Sequence, residues 1–283
     1  MHRNAPTRRQ FLGAAALAAA PPSPERVIDA HTHFYDPARP GGVPWPPKTD
    51  SLLYRTVLPR DFKQATAGLG VEGTIVIEAS PLVEDNQWVL DLARDNPVIL
   101  GLIGRLDPGS RDFPEQLARF TRNPLFRGIR LSGAAIAAGM QNKAFLYGLE
   151  HLAGKGLTLD VIGSAPMFAD LERLAERARE LKIVIDHLPF DRQPHLPIGR
   201  NVYAKVSGVR PDTPRQLIEE LWRHFGPDRL LYGSNWPVSE RVAPYANTLR
   251  TLTVFFASKG PEATAKFFRE NSRTAYGWTA RPQ

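Results

Sequence analysis

Short apolar runs rich in β-branched residues alternate along the chain with longer stretches whose apolar positions recur at helical spacing. Eight such runs stand out: Val27–His31, Gly73–Glu78, Val98–Leu106, Phe126–Leu131, Leu157–Ile162, Ile183–Leu188, Asn201–Ser207 and Arg229–Gly233. Between them the helical pattern is clearest over Phe168–Leu181. There Leu171, Leu174, Ala175, Ala178 and Leu181 share one face, while Glu172, Arg173, Glu176 and Arg177 take the other. Eight strands, mostly one helix apart, predict βα units closed into a (β/α)8 TIM barrel. An open doubly wound sheet is the alternative, but the G-x-G-x-x-G turn that usually follows its first strand is missing.

One connection breaks the pattern. Phe34 to Pro59 is rich in Pro and Gly, has neither period, and carries Tyr35, Trp45 and Tyr54. A long irregular loop after a barrel strand is commonly a lid or binding loop, or a surface wrap held by aromatic anchors.

Barrel chemistry gathers at the C-terminal strand ends. The first run ends in DAHTHF, and strand alternation turns His31 and His33 to the same side, into the barrel mouth. Two imidazoles so placed can chelate a divalent ion or grip a carbonyl oxygen. The same rim should receive Glu78, Arg105, Asp107, Arg130, His187, Lys205, Ser207, Asn235 and Trp236. By alternation Asp186, next to His187, should face the helices. Each residue has a plainer role: Asp107-Pro108-Gly109 is a good turn, Lys205 a solvated strand end, Arg130 a structural partner of Glu78. Three His, one Glu and two Arg from different strands nonetheless point jointly to an anionic or hydroxyl-rich ligand. His151, His195 and His224 lie in helical or loop segments and are expected to be structural or exposed.

Composition narrows the picture little within the body of the chain. It has 283 residues, 42% hydrophobic and 23% charged, and no Cys, which removes thiolate nucleophiles and Cys-based metal sites. At the N-terminus, TRRQFLGAAALAAAPPSP sets Arg8 and Arg9 before a short Ala-rich apolar run. This has the form of a twin-arginine export signal, with Ala18–Ala20 as its small-residue cleavage site, and predicts a periplasmic or secreted protein. The apolar run is too short to span a membrane. Removing residues 1–24 takes three Arg and no acid, lowering the formal charge from +7 to +4. The basic balance is therefore partly the signal's, and without basic-aromatic clustering it does not indicate nucleic-acid binding.

Taken together IDAHTHFYDP, VPWP, GTIVIEAS, FRGIRL, VIDHLP, YAKVSG and LLYGSNWPV resemble the amidohydrolase superfamily. More narrowly they resemble its TIM-barrel metal-dependent hydrolase branch, with sugar lactonases and 2-pyrone-4,6-dicarboxylate lactonase. That resemblance implies hydrolysis of a lactone or related cyclic ester of a sugar acid or aromatic acid. A strand-8 carboxylate would activate the water, but relatives' G-S-D-W-P-V reads GSNWPV here, with Asn235 in the acid's place. Strand 2 offers Glu78 where relatives often have Gln, and strand 5 lacks the His ligand of other branches, having Asp160 as its only ionisable group. The resulting expectation is that the carboxylate has moved to Glu78, with Asn235 positioning water. His31, His33 and His187 would hold a divalent ion such as zinc or, without metal, the carbonyl oxygen. Arg105 and Arg130, with Trp45 and Trp236 as flat walls, would bind the substrate. Two other functions compete: an exported sugar-acid or aromatic-acid binding protein that has lost the base, and, more weakly, a decarboxylase. Substrate and oligomeric state are not specified by these motifs. The segment Pro261–Trp278 is expected either to close the barrel bottom or to meet a second subunit.

Overall fold

A computed structural model describes residues 24–187 and 199–282. The export segment, apart from Pro24, and the loop bearing His195 lie outside the described residues. Eight parallel strands follow in sequence order around one sheet: β1 Val27–Thr32, β2 Val71–Ile77, β3 Ile99–Gly104, β4 Phe126–Ser132, β5 Thr158–Ile162, β6 Lys182–Asp186, β7 Val202–Val206 and β8 Leu230–Tyr232. The arrangement is the (β/α)8 barrel that the alternating pattern predicts, and each strand falls on one of the eight apolar runs. The expected helix over 168–181 forms as Phe168–Arg177, with Phe168, Leu171, Leu174 and Ala175 buried.

Closure between β8 and β1 relies on more than strand pairing, because β8 is only three residues long. Backbone beyond it finishes the seam: Asn235 N–H donates to His31 O at 2.9 Å and His33 N–H to Trp236 O at 2.9 Å. The buried Asp29 carboxylate joins in, accepting from Ser234 N–H (2.9 Å), His31 N–H (3.0 Å) and the Tyr245 hydroxyl (3.0 Å). Burial raises this carboxyl to about 6 in spite of those bonds. Between β4 and β5 the backbones come so close that a Cβ on Gly128 would stand 2.0 Å from Thr158 O, which is why the strand has glycine there.

Two apolar layers result. The larger lies between strands and helices; the smaller fills the barrel from below with Ile28, Ile75, Leu100, Val184, Tyr203 and Leu231. Ala275, Tyr276 and Trp278 belong to this inner layer, so the C-terminal segment closes the barrel bottom. It is tied there by Thr158 Oγ1 donating to Ala275 O (2.7 Å) and Asn271 Nδ2 to Leu230 O (2.8 Å). Phe267 and Phe268, in the preceding turn, are fully buried, and such side chains contribute about 1.5–3 kcal/mol each.

The long loop after β1 is anchored to the body. Tyr35 and Val57 exchange both backbone hydrogen bonds, and Tyr35 donates its hydroxyl to Leu53 O at 2.9 Å. Arg55 pairs with Glu240 at 2.9 Å, and Arg241 with Asp50, fastening the loop to the segment after β8. Trp45 is thereby set at the mouth, its ring 5.3 Å from Tyr35 and 5.6 Å from His33.

Candidate active site

A cavity of about 480 Å³ opens at the C-terminal strand ends, lined among others by His33, Trp45, Glu78, Arg105, Arg130, His187 and Asn235. This size suits a small cyclic ligand. Strand ends from six different places in the sequence thus converge on one rim. Five expected residues stand elsewhere. Asp107 accepts from Gly109 N–H in its own turn at 2.9 Å, Ser207 is buried against His187, and Lys205 lies below the cavity floor. His31 is fully buried behind His33, and Trp236 is 1% exposed, packed between Phe34 and Phe62 with its indole N–H donated to Glu240 at 2.8 Å. Trp236 is therefore part of the wall's support and does not line the cavity. The cis Trp236–Pro237 peptide follows directly.

Glu78 and Arg130 form a clamp at the rim. Arg130 Nε donates to Glu78 Oε1 at 3.0 Å and Nη2 to the Glu78 carbonyl at 2.6 Å, while Ser80 N–H donates to Oε2 at 2.9 Å. Both carboxylate oxygens are engaged, one by a guanidinium, and this disfavours Glu78 as the proton acceptor. Arg105 is placed differently. Asn86 holds its backbone, accepting from Arg105 N–H and donating to Arg105 O, while the guanidinium has no ion-pair partner among the described residues.

Beneath the cavity floor lies a buried charge network that the sequence did not suggest. Lys205, expected at the rim or at a solvated strand end, is fully buried, with its ammonium 2.6 Å from Asp160 Oδ2, 2.9 Å from Asp186 Oδ1 and 3.3 Å from His31 Nδ1. Tyr276 from the barrel bottom reaches both Asp160 oxygens at 3.2 Å. Asp186 faces this interior and not the helices. The alternation rule fails here because His187 has left-handed backbone (φ 51°), which turns the chain so that two consecutive side chains serve the interior. Burial alone would push Asp186 up, but Lys205, His31 and Arg130 hold it well below the usual carboxylate range; burial raises Asp160 despite Lys205.

All three imidazoles are neutral at pH 7. Burial lowers His31 well below its ordinary value, His33 to about 3 and His187 to about 4. His33 Nδ1 lies 3.0 Å from Ile77 O and its Nε2 3.3 Å from His31 Nε2. His187 Nδ1 lies 2.7 Å from Ser207 Oγ, and its Nε2 has no hydrogen-bond partner among the described residues.

The amidohydrolase family profile matches residues 28–278, nearly the whole described barrel. The chain belongs to the amidohydrolase family. It is 30% identical over 275 residues to L-fucono-1,5-lactonase of Burkholderia ambifaria, covering 87% of this chain and 93% of that one. An amidohydrolase from Burkholderia multivorans, solved with bound HEPES and in another crystal form with bound zinc, superposes with a TM-score of 0.77 at 21% identity, over 90% of this chain and 100% of that one. A probable 2-pyrone-4,6-dicarboxylic acid hydrolase from Acinetobacter baumannii, with citric acid bound, gives 0.70 at 17% identity over 89% and 99%. With such relatives this family member is a lactonase-like hydrolase acting on a small molecule.

The zinc of one neighbour makes the donor set here worth testing. A catalytic zinc takes three protein ligands plus water. Among the described residues no three His, Asp or Glu side chains converge on one point. The expected trio of His31, His33 and His187 is not assembled: the His187 ring packs on that of His31, centroids 4.3 Å apart, and turns Nδ1 to Ser207, while position 235 offers an amide. The residues present do not make a zinc site.

Proposed function

We propose that the protein hydrolyses the lactone of a hydroxyl-rich sugar acid, with His187 as proton acceptor. One observation carries the assignment: His187 lines the cavity with its Nε2 free of any hydrogen-bond partner among the described residues, while Glu78 is tied to Arg130 and Ser80. Water positioned by the Asn235 amide gives a proton to Nε2 and its oxygen to the lactone carbonyl carbon. The remaining N–H groups of Arg130 and the unpaired guanidinium of Arg105 stabilise the oxyanion and hold hydroxyls of the ring. On collapse the ring C–O bond breaks, the leaving alkoxide takes the proton back from His187, and an open hydroxy acid is released. Glu78 serves as the clamp that aims Arg130, in place of the base its position on β2 suggested.

The test is hydrolysis of L-fucono-1,5-lactone and related aldonolactones followed by acid release, in parent, His187→Asn and Glu78→Gln. Loss of about 10²–10⁴-fold in kcat is expected for His187→Asn, the usual span of a general base. Glu78→Gln keeps an acceptor for Arg130 and should stay within about tenfold, if the clamp is all it supplies. The opposite ranking would return the base to Glu78. Tight lactone binding without turnover in the parent would identify a binding protein, the function that Asn235 favours. Export through the twin-arginine route is part of the same proposal, and N-terminal sequencing of the mature protein from a cell fraction tests it; an intact Met1 in all fractions would refute it.

A further inference from the structure

We propose that Lys205 is a positioning residue that sets the proton order of His31 and His33 so that the pair closes on itself and rejects a divalent metal. This deepens the proposed lactonase reading of the same site and explains why a pair with metal-chelate spacing lacks the rest of a metal site.

An ammonium has three N–H donors and no acceptor. Lys205 donates to Asp160 Oδ2 (2.6 Å) and His31 Nδ1 (3.3 Å), and its charge lies 2.9 Å from Asp186 Oδ1. His31 must therefore offer a lone pair at Nδ1, which puts the proton of the neutral ring on Nε2. At the other end, His33 Nδ1 lies 3.0 Å from the Ile77 carbonyl, which can only accept, so His33 has its proton on Nδ1 and its lone pair on Nε2. The two Nε2 atoms are 3.3 Å apart, His31 donating to His33. The chain runs one way, from Lys205 through His31 and His33 to Ile77 O.

That same spacing has a second meaning. Two nitrogens each about 2.0–2.1 Å from a tetrahedral zinc stand about 3.3–3.4 Å apart, so the pair has the bite of a chelate. What it lacks is the second lone pair, because His31 Nε2 is protonated. The opposite tautomer has a charge to favour it, since Asp186 Oδ1 lies 3.4 Å from His31 Nδ1. Neither Asp186 oxygen accepts a well-directed hydrogen bond from Lys205 or from His31, so its hold on both neighbours is by charge. The ammonium decides between the two states. Without the ammonium's donors, the Asp186 charge would draw the proton to His31 Nδ1 and free Nε2 for a metal.

The first test needs no variant in the active chain. Nitrogen NMR of the full-length protein labelled with [15N]histidine, assigned with His31→Gln and His33→Gln spectra, reads which ring nitrogens are protonated. The expected result is Nε2–H on His31 and Nδ1–H on His33; Nδ1–H on His31 would overturn the proposal. The second is zinc binding by competition with a chromogenic chelator. The parent should take up no stoichiometric zinc at micromolar concentration, and Lys205→Met should bind at least tenfold more tightly. Because Lys205→Met leaves two buried aspartates without their cation, Lys205→Met/Asp160→Asn is measured beside it and should show the same gain. Stoichiometric zinc in the parent, or no gain in a folded variant, would overturn the proposal. Neither readout uses turnover, so these results are separable from success or failure of the lactonase assay.

Discussion

Replacing His33 with Asn tests the site's electrostatics through stability. The introduced amide could still donate to Ile77 O and accept from His31, but it does not titrate. In the parent, burial, aided by the charge of Arg130, lowers His33 from 6.5 to about 3. The folded state thus binds the proton less well than the unfolded state, so the stability this group contributes is fully present above about pH 6.5 and is lost as pH falls toward 3. At pH 5, about 1.5 units below the ordinary imidazole value, the unfolded ring is protonated while the folded one is still neutral. At 1.36 kcal/mol per unit this costs about 2 kcal/mol between pH 7 and pH 5. Urea unfolding of parent and His33→Asn, followed by tryptophan fluorescence at both pH values, gives the double difference. The other buried titrating groups are common to both proteins and cancel to first order. The parent should lose about 2 kcal/mol more than the variant on acidification. A double difference below about 0.5 kcal/mol would mean that His33 titrates like an exposed imidazole, and would refute its burial behind Trp45.

Other perturbations probe the seam and the wall. Asp29→Ala leaves two buried backbone N–H groups and the Tyr245 hydroxyl without their acceptor, at about 1–3 kcal/mol each. Calorimetry should show Tm lowered by roughly 6–12 °C for a loss near 3 kcal/mol, and a shift under about 2 °C would show the seam closing without the carboxylate. Trp45→Ala removes a cavity wall but no reacting group, so steady-state kinetics should show KM raised about five- to tenfold with kcat within about twofold. A kcat loss equal to that of His187→Asn would place Trp45 in the chemistry itself.

Much of this was legible because the barrel's periodicity reports both strands and strand ends. Once the eight runs are aligned, His33, Glu78, Arg105, Arg130, His187 and Asn235 fall on one rim without further information. The buried network was not legible in the same way. Asp160, Asp186 and Lys205 each interrupt an apolar run, TLDVI, KIVID and VYAKV, on three neighbouring strands, and that repetition was the available signal. Taken one strand at a time, each charge reads as a strand end, since only the closed barrel brings the three within hydrogen-bond range. Asp186 was misplaced because period-two alternation holds for extended backbone and fails at His187, whose left-handed φ is not written in residue type. Trp236 was misplaced because a rim aromatic reads as a ligand wall, while its indole N–H finds Glu240 on the far side.

Asn235 poses the last question, since its backbone is also left-handed, with φ 59°. Asn and Asp both tolerate that region better than other side-chain-bearing residues, so local geometry does not explain the amide. Chemistry of the neighbours does. On the proposed proton order, His31 Nε2–H leaves no metal for a carboxylate at 235 to ligate, and on the proposed mechanism His187 leaves no base for it to supply. An amide that orients water by accepting and donating is then sufficient. Asn235→Asp should accordingly fold as the parent does and keep kcat/KM within about tenfold, less than the effect of losing a general base. Acid release at neutral pH on the same aldonolactones measures this. A gain of more than about a hundredfold would show that the site lacked a competent base, contradicting the role given to His187; a comparable loss would show that the amide's N–H, and not only its oxygen, holds the reacting water.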